Sequence, residues 1–130
     1  MSVFATRAYA FNSTRQAYLA QRLALANTHF TRLVGLIGTA AREFSEGMGL
    51  WITPCRGVHT LGMRFPIDVI YLDRQNTVVH VEENLRPWRI GNVCLKAASV
   101  LELPPATVSQ TKTSVGDQIR IDFDEDGAKA

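Results

Sequence analysis

The sequence predicts an α+β fold, mainly β: a small, strongly curved sheet or partly closed β-barrel with one main helix at about 28–38. Three observations lead there. Short apolar runs recur along the 130 residues, separated by Gly, Pro, Asn and Asp, the residue types that favour turns. One stretch alone, with Phe30, Leu33, Val34, Ile37, Ala41 and Phe44, repeats at the spacing of a single buried helix face. Residues 65–72 are apolar on both faces, as in a central strand covered from either side. Many short strands around one helix fit a curved or partly closed sheet.

Taken in order, the apolar runs near 7–12 and 21–26 read as strands, separated by the polar Asn12-Ser13-Thr14-Arg15-Gln16; Tyr18-Leu19-Ala20 fits either strand or helix. Thr28 can cap the helix, because its hydroxyl accepts a bond from a first-turn N–H that has no partner inside the helix. Gly35 and Gly38 weaken it by about 1 kcal/mol each relative to alanine. Gly47-Met48-Gly49 breaks it, and Leu50 to Thr53 reads as a short strand ended by Pro54, which has no N–H to give a ladder. Residues 55–63 contain two glycines and read as an ordered loop. The central strand 65–72 turns at Asp73-Arg74-Gln75-Asn76 and returns over 77–83, a β-hairpin. A loop over 84–96 carries Arg86-Pro87-Trp88-Arg89 at its centre. Residues 98–103 form a further buried strand stopped by Pro104-Pro105, and Gly116-Asp117 turns the chain into a last strand at 118–123. In Val100-Leu101-Glu102-Leu103, alternation places Glu102 on an exposed face. The acidic tail 124–130 is expected to be mobile.

The length fits one domain, 1–130. A hydrophobic content of 46% and a charged content of 20% are those of an ordinary soluble protein. A net charge of +2, without a run of like charges, argues against nucleic acid as a partner. No apolar stretch reaches the ~20 residues of a membrane span, and the amino-terminus lacks the apolar core of a secretory signal. A cytoplasmic location is expected. Two widely spaced cysteines, Cys55 and Cys94, fit unbridged thiols there.

Chemistry concentrates in Cys55-Arg56-Gly57-Val58-His59-Thr60-Leu61-Gly62-Met63 and the strand after it. Asp68 stands among Ile67, Val69 and Ile70, where an unpaired carboxylate would cost several kcal/mol. It is therefore expected to be buried and hydrogen-bonded, with partners in the 55–64 loop or at Arg89. Cys55, His59 and Asp68 supply the residue types of a thiol nucleophile, its base and an orienting acid, so they are the catalytic candidates. Cys55 and His59 could also begin a metal site, but the second ligand pair of a zinc centre is missing. No metal and no cofactor are expected. Arg86, Trp88 and Arg89 can offer stacking and cationic donors to an anion.

The order of Gly35-Leu36-Ile37-Gly38, Gly47-Met48-Gly49-Leu50-Trp51-Ile52, residues 55–73, Arg86 to Arg89, Ala98 to Pro104 and Val115 to Ile121 resembles the domain-of-unknown-function 192 family from about residue 22 to 122. His59, Thr60, Met63, Pro66, Ile67 and Asp68 match its core pattern, whereas Cys55 and Arg86 to Arg89 resemble features of a subset. The resemblance implies a β-rich barrel with a small helix and no established reaction. The preferred reading is a small single-domain protein binding a small ligand, an anion being one candidate. Its pocket would be formed by segment 55–68 and loop 86–89, with His59, Thr60, Asp68, Arg86, Trp88 and Arg89 as ligand-binding residues. The alternatives are a Cys/His-dependent enzyme of hydrolysis or acyl transfer, and an accessory module contacting a protein partner through Trp51 or Trp88.

Overall fold

A computed structural model describes residues 8–27, 36 and 39–123. The alternating run Ala8–Asn12 forms β1, followed by β2 (Ala17–Ala20) and β3 (Arg22–Ala26). Residues 18–20, compatible with either state, are strand. The helix expected at 28–38 lies outside the described residues except for Leu36, which is buried; the expected mobile tail lies outside them too. Ala41–Glu43 make a single 3-10 turn. Then come β4 (Met48–Ile52), β5 (Gly57–His59), β6 (Ile67–Leu72), β7 (Val78–Leu85), β8 (Ile90–Val93) and β9 (Ser99–Leu103). A short helix, α1 (Thr107–Thr111), precedes β10 (Ile119–Phe123).

The protein is mainly β, as expected, but its sheets do not close into a barrel. A five-stranded sheet has the order β3-β4-β9-β6-β7, a three-stranded sheet the order β10-β1-β2, and β5 and β8 pair as a separate ribbon. All pairings are antiparallel except β3 with β4. The hairpin at 73–76 forms because the Asp73 carboxylate accepts the N–H groups of Gln75 and Thr77, each at 2.9 Å, while Asn76 takes the left-handed conformation that asparagine tolerates. The segments read as loops over 55–63 and 84–96 contain β5 and β8, which a three-residue pairing conceals from any periodicity.

Every residue of β6 is buried. Its odd positions, Ile67, Val69 and Tyr71, join Leu50, Phe65, Val100 and Met63 in one core. Its even positions Ile70 and Leu72 join Leu23, Leu101, Leu103, Val108 and Ile119 in a second, between the large sheet and the three-stranded one. Period-two geometry thus feeds two cores from one strand. The layers of the second core meet closely at Gly49, where an added Cβ would stand 2.9 Å from both Ala20 Cβ and Leu103 Cδ2.

Glu102 corrects the sequence expectation. It is buried, because both faces of β9 are covered and alternation only selects which core a side chain enters. Its neighbours across the sheet are Leu50 and Val69, and among the described residues nothing hydrogen-bonds its Oε1. Burial pushes its carboxyl up to about 8.

Two predictions follow from this packing. Gly49→Ala is expected to lower stability by about 1–3 kcal/mol in denaturant unfolding, the cost of overpacking a closed interior. Glu102 holds a proton in the folded chain that the unfolded chain releases near its ordinary value of 4.5. Stability should therefore fall as pH rises between about 5 and 8, with a slope approaching ~1.4 kcal/mol per pH unit. Glu102→Gln should flatten that slope in unfolding curves measured across the window.

Candidate functional site

Asp68 is fully buried, and its even position on β6 turns it toward the second core, away from Ile67 and Val69. Its Oδ1 accepts the N–H of Asn84 at 2.9 Å and its Oδ2 the N–H of Val108 at 2.8 Å. The second bond solves a local problem. Helix α1 opens at Ala106, which sits in the left-handed region (φ 73°) and has no side-chain acceptor for the first-turn N–H groups. Asp68 supplies one from 40 residues upstream. Burial and hydrogen bonding agree with expectation. The partners do not: the 55–64 loop packs Val58 and Met63 on the opposite core, so Asp68 is bonded to β7 and α1 instead.

Thr60 is also fully buried and grips the Arg86–Arg89 turn. Its N–H donates to Arg89 O at 2.8 Å and its carbonyl accepts the Trp88 N–H at 2.9 Å. Its hydroxyl donates to Arg86 O and accepts the Arg89 N–H. Held this way, Trp88 adopts φ 63° with its side chain 65% exposed, a conformation that costs a non-glycine residue about 1–2 kcal/mol. His59 pairs with Ile90 across the ribbon, and its Nδ1 accepts the Leu61 N–H at 3.3 Å. The structure thus gathers His59, Thr60, Arg86, Trp88 and Arg89 at one end of the ribbon.

Cys55 lies beyond the other end of β5. Its thiol donates to Gly57 O at 2.9 Å, its N–H donates to Ala98 O, and the two cysteines are not bridged. Cys55 and His59 therefore flank β5 at opposite ends while Asp68 faces the far core, so the three catalytic candidates are not assembled as nucleophile, base and orienter. Cys55 instead lines a surface depression of about 460 Å³ whose other walls are Arg56, Asp73 to Gln75 and Leu95 to Ala98. Arg56, Arg74 and Lys96 border it, and its one carboxylate, Asp73, already accepts two turn N–H groups. Among the described residues no three His, Cys, Asp or Glu side chains are grouped to hold a metal ion.

The profile of a family described as DUF192, Uncharacterized ACR, matches residues 10–121. The chain belongs to the DUF192 family. A UPF0127 protein of Pyrococcus abyssi (strain GE5 / Orsay) is 42% identical over 62 residues, which are 48% of this chain and 52% of that relative. The chain therefore spans about half the length of that curated relative. Two crystal structures share the fold. A protein of unknown function from Novosphingobium aromaticivorans has a TM-score of 0.73 at 17% identity, covering 87% of this chain and 82% of its own. A protein from Sinorhizobium meliloti 1021, described as a candidate transcription regulator, has a TM-score of 0.74 at 23% identity, covering 92% and 96%.

Two polar clusters of this DUF192 chain escape sequence reasoning. The Tyr71 hydroxyl donates to Glu82 Oε1 and lies 2.9 Å from Asn92 O, and the Asn92 N–H also reaches Glu82 Oε1, at 3.1 Å. Burial, then the bond to Glu82, pushes the Tyr71 hydroxyl well above its ordinary value. These contacts fasten the ribbon to the large sheet, but they join three strands and leave no spacing signal. Asp117, expected as a simple turn residue, accepts from Asn12 Nδ2, Arg15 Nε and the Ser114 N–H, each at 3.0 Å. Burial raises its carboxyl, and those bonds with the Arg15 charge outweigh it, leaving it below the ordinary value. Only the pairing of β1 with β10 makes that cluster visible.

Asp68→Ala should cost about 2–4 kcal/mol in equilibrium unfolding, because it removes the acceptor of two N–H groups, the buried one of Val108 and the part-buried one of Asn84. Asp68→Asn should also destabilise, since an amide offers one acceptor where two donors converge. If both variants matched the parent, Asp68 would not be the anchor that its contacts describe.

Proposed function

We propose that this DUF192 chain is a binding protein for a small anion, taken up in the depression between Cys55-Arg56, the Asp73–Asn76 turn and Leu95 to Ala98. One observation carries the reading: Arg56, Arg74 and Lys96 line a concavity of about 460 Å³ whose only carboxylate is already engaged by backbone donors. That volume suits a metabolite-sized ligand, and guanidinium groups favour carboxylate or phosphate oxygens. The pocket expected from residues 55–68 and 86–89 is thereby moved. Cys55 and Arg56 keep their place in it, while Thr60 and Asp68 are spent on structural hydrogen bonds. The Cys/His enzyme has less support, since the Cys55 thiol donates to a carbonyl and His59 lies at the far end of β5.

The test is an amide-shift titration with citrate and, separately, inorganic pyrophosphate. Shifts should gather at residues 55–56, 73–75 and 95–98. Arg56→Gln with Arg74→Gln should weaken binding about tenfold or more, the loss of roughly 1.4 kcal/mol or more. Shifts confined to His59 and the Trp88 turn, or none for either anion, would refute the reading.

A further inference from the structure

The ribbon of β5 and β8 concentrates what the rest of the described surface lacks. Of the eight large apolar side chains exposed among the described residues, five lie on it or on its flanking loops: Leu61, Trp88, Ile90, Val93 and Leu95. Ile90 and Leu95 are 77% and 78% exposed, so they project from the ribbon. Singly exposed leucines are ordinary, but a cluster of this kind marks a contact surface. Its charge is equally uneven. Segments 55–64 and 86–97 hold Arg56, Arg64, Arg86, Arg89 and Lys96 and no carboxylate of their own, which leaves the remainder of the chain at −3 within a total of +2. The one carboxylate seen against the ribbon among the described residues, Glu82 of β7, is engaged by the Tyr71 hydroxyl and the Asn92 N–H. All five cations are exposed.

We propose that this ribbon docks on an anionic lipid surface, with Trp88, Ile90 and Leu95 entering the headgroup region and the five cations facing lipid phosphates. The proposal does not rest on the small-anion reading, although Arg56, Leu95 and Lys96 border both surfaces; its charge variants, Arg86 and Arg89, lie outside the depression. Charge complementarity selects the occupant: a second copy would bring five like charges against five. A protein partner would have to match apolar projections with pockets, whereas a bilayer accepts them without shaped complementarity. Tryptophan beside long cationic side chains is the composition that the membrane interface favours, the ring at headgroup level and the arginine stems reaching for phosphate. Thr60 adds preorganisation. By fixing the backbone of Arg86, Trp88 and Arg89, it presents the anchor before contact and lowers the ordering cost of docking.

Flotation with vesicles of phosphatidylcholine alone, or of equal parts phosphatidylglycerol and phosphatidylcholine, tests it. A Trp51→Phe background leaves Trp88 as the only indole reporter. The chain should float with the anionic vesicles alone, Trp88 emission should shift to the blue, and added salt should release it. Arg86→Gln with Arg89→Gln, both exposed, should lower partitioning about thirtyfold, from the interaction of each cation with an anionic leaflet. Trp88→Ser should abolish retention while leaving the unfolding transition in place. Four results would overturn the proposal: no flotation with either vesicle, equal flotation with both, a Trp88 blue shift that tracks protein concentration through self-association, or retention unchanged in the charge variants. Binding to DNA or RNA without binding to anionic vesicles would assign the ribbon to nucleic acid instead.

Discussion

A carboxylate inside a strand with no wet face must be answered by donors, and the donors that answer Asp68 organise much of this chain. An ionised group taken out of water costs several kcal/mol, and charge-assisted hydrogen bonds of about 1.5–3 kcal/mol each offset it. Here both are backbone N–H groups, one at the end of β7 and one in the first turn of α1. Backbone donors cannot swing away as side chains do. Once Asp68 is satisfied, the exit of β7 is fixed, Asn84 takes its left-handed turn, and the chain is aimed at the segment that Thr60 grips. One buried charge thus links the central strand, the only helix described and the loop that carries Trp88.

The central hairpin and its turn were legible because they obey local rules: apolar on both faces at 65–72, turn residues at 73–76. Asp68 was legible for the same reason, its cost being visible from its neighbours. Its partners were not, because face assignment on a two-sided strand depends on which element covers which side. Glu102 failed for a related reason. Alternation distinguishes inside from outside only when one face is solvated, and β9 has none. Ribbon strands of three and four residues are too short for periodicity to register. Helix α1 carries no capping residue of its own, since its acceptor lies 40 positions away.

Net charge concealed the surface. A total of +2 suggests an even mixture, yet segments 55–64 and 86–97 carry five cations and no carboxylate of their own, and Glu82, which reaches the ribbon, is engaged by Tyr71 and Asn92. The depression and the ribbon are neighbours in this arrangement, sharing Arg56, Leu95 and Lys96 at their common border. A positive field over both would draw anions toward that side of the molecule and raise encounter rates, an effect that salt weakens.

The pairing of β1 with β10 has a consequence for how the chain is made. Tyr9 bonds to Asp122, 113 positions later, and Asn12 reaches Asp117. During translation β1 can pair with β2 at once, but its other edge stays open until residue 123 has cleared the ribosome. The three-stranded sheet and the face of the second core that it covers cannot be completed before then. Ile70, Leu72 and Leu101, once made, stay uncovered on that face until β10 follows, and apolar strand surface left open in this way is the kind that aggregates or engages chaperones.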